Sequence, residues 1–281
     1  MRGSNIIVNE VLKMIFRLLE NLLFEDKMVK FNNEIAPKYG WCCIYVGGPG
    51  SGKGTATNLS VRLQGHKFDP DDLKRPEVLK KTGIWDTLET PESERTLNNS
   101  DYVSELHDAT EPLKNKVMSH ELNQGKYSGK DRLPNIIFDI VGSTGKFNEI
   151  IPTAKEMGYK VAIVWTLTDV QKAILQNRAR PRNVREEVLI EGHKKVIKAI
   201  ESLFNSNLLN SIDDFWVIDN TNSVQIRKIE KDGKQVNNPE DEYKYIKDTN
   251  VYHIELNKDG FSRFTNIIQQ IDKNKEYLSQ F

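Results

Sequence analysis

The apolar residues of this chain gather in short unbroken runs separated by longer amphipathic or polar stretches. The first run, Trp41-Cys42-Cys43-Ile44-Tyr45-Val46, stops at a pair of glycines. A run apolar at every position suits a central strand buried on both faces. A helix is predicted from Lys53 to about Leu63, and a short strand at His66-Lys67-Phe68. The polar stretch from Glu77 to Gln124 reads as helices and loops. Within it, Pro91 after Thr90 and Pro112 after Thr110-Glu111 look like helix starts, because a proline in the first turn gives up an N–H that has no intrahelical partner. The runs Ile136–Val141, Lys160–Trp165 and Phe215–Ile218 predict three further strands. A Gly142-Ser143-Thr144-Gly145 turn leads into a helix ending near Gly158, and Thr168 or Asp169 caps another that reaches about Arg178. An amphipathic helix spans roughly Val184 to Phe204, with Val188, Leu189, Val196, Ile197, Ile200 and Phe204 on one face. His193 lies on or near that face and reads as a packing histidine, as Trp41, Trp165 and Trp216 read as core.

Strands alternating with helices at this spacing predict an α/β fold: a parallel five-stranded sheet with helices on both faces. The pattern changes after Thr221. Val224–Ile229 and Lys234–Val236 flank Asp232-Gly233, which predicts a hairpin. Val251–Leu256 reads as a strand and Phe261–Leu278 as a closing helix. The N-terminal stretch Asn5–Lys30 is dense in apolar residues, but Glu10, Lys13, Arg17 and Glu20 interrupt it. Each such charge costs roughly 3 kcal/mol at a bilayer centre, so no transmembrane span is expected; an amphipathic helix packed on its own domain is the simpler reading. The expected organisation is an N-terminal helical extension over 1–36, a main domain over 37–221, and a hairpin-and-helix appendage over 222–281.

Composition narrows the function only a little. Asp and Glu balance Lys and Arg at 40 each, giving a formal net charge of zero. That removes the footprint of a dedicated nucleic-acid binder, although a local basic groove remains compatible with it. The two cysteines are adjacent, so neither a disulfide framework nor a zinc spacing can be built from them. A reducing, cytoplasmic setting is expected.

The candidate chemistry begins at Gly47-Gly48-Pro49-Gly50-Ser51-Gly52-Lys53-Gly54-Thr55. A glycine, four residues and then Gly52-Lys53, between a buried strand and a helix, is the P-loop arrangement. Glycines let backbone N–H groups converge on phosphate oxygens, the helix turns its positive end to the same anion, and Lys53 adds a full charge. A P-loop usually has Ser or Thr directly after the lysine to hold Mg²⁺; here Gly54 intervenes and Thr55 follows. The Gly-Lys-Gly-Thr ending resembles that of adenylate kinase and related nucleotide kinases. The resemblance implies an ATP-dependent kinase and leaves open whether Thr55 meets the metal or a phosphate.

Phe68-Asp69-Pro70-Asp71-Asp72-Leu73-Lys74 follows the second strand, at the sheet edge where α/β folds bind ligands. It reads either as a solvated Asp-Pro turn or as the site of a general base. The segment is similar to the corresponding one in zeta toxins and bacteriophage polynucleotide kinase. On that resemblance Asp71 is the general base, Asp69 a supporting acid and Lys74 a residue that positions the acceptor, with Leu73 where the family prefers an aromatic. Asp139 ends an apolar strand in the form of an acid that orients Mg²⁺, or as a plain strand end. Asn177-Arg178-Ala179-Arg180-Pro181-Arg182-Asn183-Val184 joins two helices. Its arginines read as a lid over the transferred phosphoryl group or as cations at a helix C-terminus, and Pro181 argues for a deliberate break. Arg180, Arg182 and the glutamates that follow also resemble zeta-type kinases. Asp219-Asn220 resembles the adenine-side loop of that group.

The resemblance covers about Trp41 to Asn220. It implies a three-layer P-loop NTPase fold, ATP and Mg²⁺, and a hydroxyl acceptor: a nucleotide, a nucleotide sugar, a nucleic-acid 5′ end or a hydroxymethylated base. Neutral net charge favours a small acceptor over nucleic acid. A non-catalytic NTP-binding interaction module is the alternative.

Overall fold

The computed structural model describes residues 27–82, 100–123, 133–178, 184–221, 224–227, 243–246, 250–257, 262 and 266. The expected N-terminal helix up to residue 26, the start at Pro91, the Asp232-Gly233 turn, Arg180 and Arg182, and nearly all of the expected closing helix lie outside them; residues 27–36, the rest of the expected N-terminal extension, form no α-helix.

Among the described residues, six strands form the main sheet: β1 (Trp41–Val46), β2 (His66–Phe68), β3 (Ile136–Ile140), β4 (Lys160–Leu167), β5 (Asp214–Asp219) and an edge strand at Asn250–His253. The order is β2-β3-β1-β4-β5 followed by that edge strand. The first five are parallel, whereas Asn250–His253 runs antiparallel to β5, with Ile218 opposite Val251. The expectation of a five-stranded, wholly parallel sheet is therefore corrected to six strands with one reversed. The edge of β5 offers unpaired backbone groups, and the late strand satisfies them; its alternating sequence carries no information about which edge it will choose.

The β1 residues alternate between two cores. Cys42, Ile44 and Val46 face one layer, and Trp41, Cys43 and Tyr45 the other. Both cysteines are free and buried. The helix α1 (Lys53–Ser60) covers the Trp41 face together with Val29 and Phe31. It ends three residues before the predicted Leu63. Val61 turns extended, and Val61 and Leu63 point into the core two residues apart. The opposite face carries α3 (Ser100–Asn123), α4 (Thr144–Glu156) and α6 (Glu186–Phe204). A four-residue 3-10 helix at Pro70–Leu73 and then α2 (Lys74–Thr82) follow β2, and α5 (Val170–Arg178) follows β4.

Pro112 does not start a helix. It lies inside the continuous α3. An interior proline costs about 3 kcal/mol. Leu106, Met118 and Leu122 are all buried, on both sides of it. At about 1.5–3 kcal/mol for each buried apolar side chain, their packing outweighs that cost. After β5, β6 (Val224–Arg227) pairs antiparallel with β7 (Tyr243–Ile246), further along the chain than the expected partner Lys234–Val236. Among the described residues, no helix is long and apolar enough to cross a membrane.

The sheet topology places the site. From β1 the chain passes to β2 on one side, while β4 and β5 lie on the other side of β1. Crossovers leaving in opposite directions open a crevice at the C-terminal edge, where α/β sheets bind ligands. β1 delivers Gly47 to that edge.

Candidate phosphate-binding site

The loop after Val46 takes a form that requires glycine at two positions. Gly50 and Gly52 have φ of 73° and 75°, in the left-handed region. A Cβ at Gly50 would stand 2.4 Å from the Ala173 carbonyl oxygen. Ser51 N donates to Gly48 O at 3.1 Å, which closes the turn. Gly52 caps α1 with no side-chain cap, and the first turn of α1 carries no acidic residue. The positive end of the helix is thus left for an anion. Among the described residues, the buried Ser51 Oγ has no hydrogen-bond partner. Gly54 is exposed, and a Cβ there would meet nothing within 4 Å.

Lys53 Nζ lies 2.7 Å from Asp139 Oδ1 and donates to Ile140 O at 2.7 Å. Both partners sit at the end of β3, beside the loop. The other oxygen of Asp139 is 2.7 Å from Lys67 Nζ, and Lys67 also lies 3.7 Å from Asp69. Burial alone would raise the Asp139 carboxyl, but Lys53 and Lys67 together reverse this and hold it below the usual range. Burial likewise acts to lower Lys67, and the hydrogen bond and charge of Asp139 override it, so its ammonium is held above the ordinary value. The result is a chain of alternating charge, Lys53–Asp139–Lys67–Asp69, across β2 and β3.

Lys67 is the residue that sequence reading missed. A lysine two positions before Asp69 on a short strand shares its face, and that spacing was the available signal. Asp71 lies in the Pro70–Leu73 turn, directly after β2 and at the same edge as Asp139. Lys74 opens α2 and is buried, while Arg75 pairs with Asp72 at 2.6 Å. At the base of the arginine segment, the Asn177 side chain donates to Val184 O at 2.7 Å and accepts from Val184 N at 3.0 Å. Arg178 pairs with Glu186 at 2.8 Å.

Two side chains from beyond the loop bond to its carbonyl oxygens. The buried His193 of α6 donates from Nε2 to Pro49 O at 2.9 Å, and Asn220 Nδ2 donates to Ser51 O at 2.8 Å. Lys172 of α5 in turn donates to the Asn220 and Thr221 carbonyls. Burial lowers the Lys172 ammonium, against the raising influence of Asp219 and Asp169.

The residues fit a nucleotide-borne Mg²⁺ better than a self-sufficient metal centre. Among the described residues, no group of three or more His, Cys, Asp or Glu side chains could hold an ion. Mg²⁺ commonly needs only one or two carboxylates when phosphates supply the rest. Thr55 is half-buried in the first turn of α1, whereas the Thr57 hydroxyl is spent on the Lys53 and Gly54 carbonyls.

No protein-family model matches the sequence, and no curated protein matches it. Solved structures with a similar chain course include the AvrRxo1-ORF1:AvrRxo1-ORF2 complex with sulphate ions (15% identity, TM-score 0.44) and the same complex with ATP (13%, TM-score 0.46). Both matches cover 65% of this chain and 55% of theirs, so the chain spans little more than half their length. A structure from the PezAT toxin-antitoxin system of Streptococcus pneumoniae matches at 12% identity and a TM-score of 0.41, over 72% of this chain and 75% of that one.

Proposed function

We propose that this protein is an ATP-dependent kinase that moves the γ-phosphoryl group of ATP to a hydroxyl of a nucleotide, nucleotide sugar or nucleic-acid acceptor. The observation that carries the reading is the placement of Lys53, at the mouth of a glycine-rich loop and the open end of α1, in contact with Asp139 at the end of β3.

In this reading, the amides of Gly48, Gly50, Gly52 and Gly54 and the Lys53 ammonium bind the β- and γ-phosphates. When phosphate arrives, Lys53 exchanges its contact with Asp139 for the phosphate oxygens, and Lys67 keeps Asp139 charged. Thr55 and Asp139 would hold Mg²⁺, which neutralises phosphate charge when bound. Asp71 accepts the proton of the acceptor hydroxyl as its oxygen bonds to the γ-phosphorus. The bond from that phosphorus to the bridging oxygen breaks, and ADP leaves. Arg180 and Arg182 stabilise the equatorial oxygens in transit. Asp69 and Lys74 position the acceptor from the turn after β2.

The test is transfer of labelled γ-phosphate from ATP to a panel of nucleotides, nucleotide sugars, 5′-hydroxyl oligonucleotides and hydroxymethylated DNA, with Asp71→Asn alongside. The expected outcome is transfer to one acceptor class and a loss of at least about a hundredfold in the variant, in line with the removal of a general base. Equal transfer by Asp71→Asn would remove Asp71 as the base. ATP binding without transfer to any acceptor would replace the kinase reading with a nucleotide-binding module.

A further inference from the structure

The phosphate loop is gripped from outside by two side chains that the transfer chemistry does not use. His193 comes from the middle of α6 and Asn220 from just past β5. They are 144 and 169 residues away in sequence from the carbonyls they bond. Both are buried, at 6% and 4% exposure. Their approach is close enough to require glycine opposite them. A Cβ at Gly48 would stand 2.5 Å from the His193 ring, and one at Gly52 would stand 2.4 Å from Asn220 Nδ2. On α6 itself, a Cβ at Gly192 would stand 2.6 Å from Pro49 Cδ. Asn220 is also held firmly: its N–H donates to Leu167 O at 2.7 Å, and Lys172 binds its carbonyl.

The carbonyls involved are those of Pro49 and Ser51. A trans peptide is planar, and its C=O and N–H point in opposite directions. Drawing the Pro49 oxygen to His193 therefore turns the Gly50 N–H away from α6. Drawing the Ser51 oxygen to Asn220 turns the Gly52 N–H away from the β5 side. We propose that His193 and Asn220 are the positioning residues of the phosphate loop, each pinning one carbonyl outward and so aiming the next amide, Gly50 or Gly52, at bound phosphate. This rests on the phosphate-binding reading of the loop, and it gives both residues a part in setting affinity that is separate from the transfer step. It also accounts for the glycines at 48 and 192, which make room for the contact of α6 with the loop.

The test uses the whole chain and two probes, ATP and inorganic pyrophosphate, titrated calorimetrically. His193→Phe keeps the ring volume but loses the donor, and His193→Gln restores an N–H. Asn220→Asp keeps the shape of the side chain and replaces its donor with an acceptor. The expected result is that His193→Phe and Asn220→Asp each weaken both probes about tenfold, the scale of one hydrogen bond, and that His193→Gln binds within about threefold of the parent. A folded His193→Phe that binds pyrophosphate as the parent does overturns the assignment for His193, and so does a His193→Gln as weak as His193→Phe, since that pattern belongs to packing alone. If the His193 variants do not fold, the Asn220→Asp titration decides by the same measure. If the parent protein binds neither probe, the phosphate-loop reading itself falls, which is distinguishable from failure of the variants alone.

Discussion

Lys53 Nζ and Asp139 Oδ1 are 2.7 Å apart, and this contact joins the start of α1 to the end of β3, the strand beside β1. Asp139 does not depend on Lys53 alone, because Lys67 holds its other oxygen at the same distance. Removing one cation from a buried pair usually costs several kcal/mol by stranding the other charge. Here a second cation remains. Lys53→Met is therefore expected to lower stability by only about 1 kcal/mol while reducing ATP affinity at least tenfold. Thermal melts and ATP titration on the same sample check both. A loss of several kcal/mol would mean that Lys67 does not share the charge.

Lys67→Met addresses the same carboxylate from the other side. Asp139 is held below its ordinary value of 3.8, so the stability it contributes is present above that value and is lost as pH falls through its lower folded value. With Lys67 gone, burial is opposed by Lys53 only, the folded value rises, and the loss should begin at a higher pH. Denaturant midpoints measured between about pH 2.5 and 6 for parent and variant should diverge at the acid end. Parallel curves would show that Lys67 does not hold the Asp139 charge.

The strands were legible because burial on both faces leaves unbroken apolar runs. Trp41–Val46, buried at every position, agrees with expectation at both ends. His66–Phe68 also agrees at both ends, although only Phe68 of the three is buried. The phosphate loop was legible because its glycines and Lys53 are contiguous. What could not be read were contacts between elements distant in sequence. Lys67 acquires meaning only when β2 lies beside β3, and the edge strand Asn250–His253 only when β5 offers an open side. Pro112 was misread because local sequence favours a helix start there, while the buried Leu106, Met118 and Leu122 that carry α3 through it belong to the tertiary structure.

Pro112→Ala tests that account of α3. The substitution restores an N–H inside a continuous helix and removes the clash of the proline ring with the preceding turn. It should stabilise the protein by roughly 1–2 kcal/mol, part of the proline cost being offset by the freer unfolded chain. A denaturant titration with an unchanged m-value would show it. If Pro112 instead stood at a helix start, the alanine variant would be neutral or less stable.

Asn177 ties the two ends of the arginine segment through its paired bonds to Val184. Asn177→Leu removes both bonds and leaves the Val184 peptide groups without these partners, at a cost of about 1–3 kcal/mol. If Arg180 and Arg182 act on the moving phosphoryl group, γ-phosphate transfer should fall by a larger factor than ATP binding. Equal losses in binding and transfer would assign the clasp to nucleotide binding instead.

His193 supplies a pH signature of the contact between α6 and the loop. Burial pushes its imidazole below the ordinary value of 6.5, and the Pro49 hydrogen bond and the charge of Asp169 oppose this without reversing it. A depressed histidine is held neutral in the folded chain, so the unfolded chain binds more protons as pH falls. The stability that neutral His193 allows is complete above about pH 6.5 and is lost as pH falls through its lower folded value. His193→Gln cannot titrate, so its stability should decline less than that of the parent between pH 6.5 and 5. The same variant keeps a donor for Pro49 O, so ATP affinity at pH 7.5 should be nearly unchanged. A parent and variant with equal slopes over that interval would show that His193 is not the group protonated there.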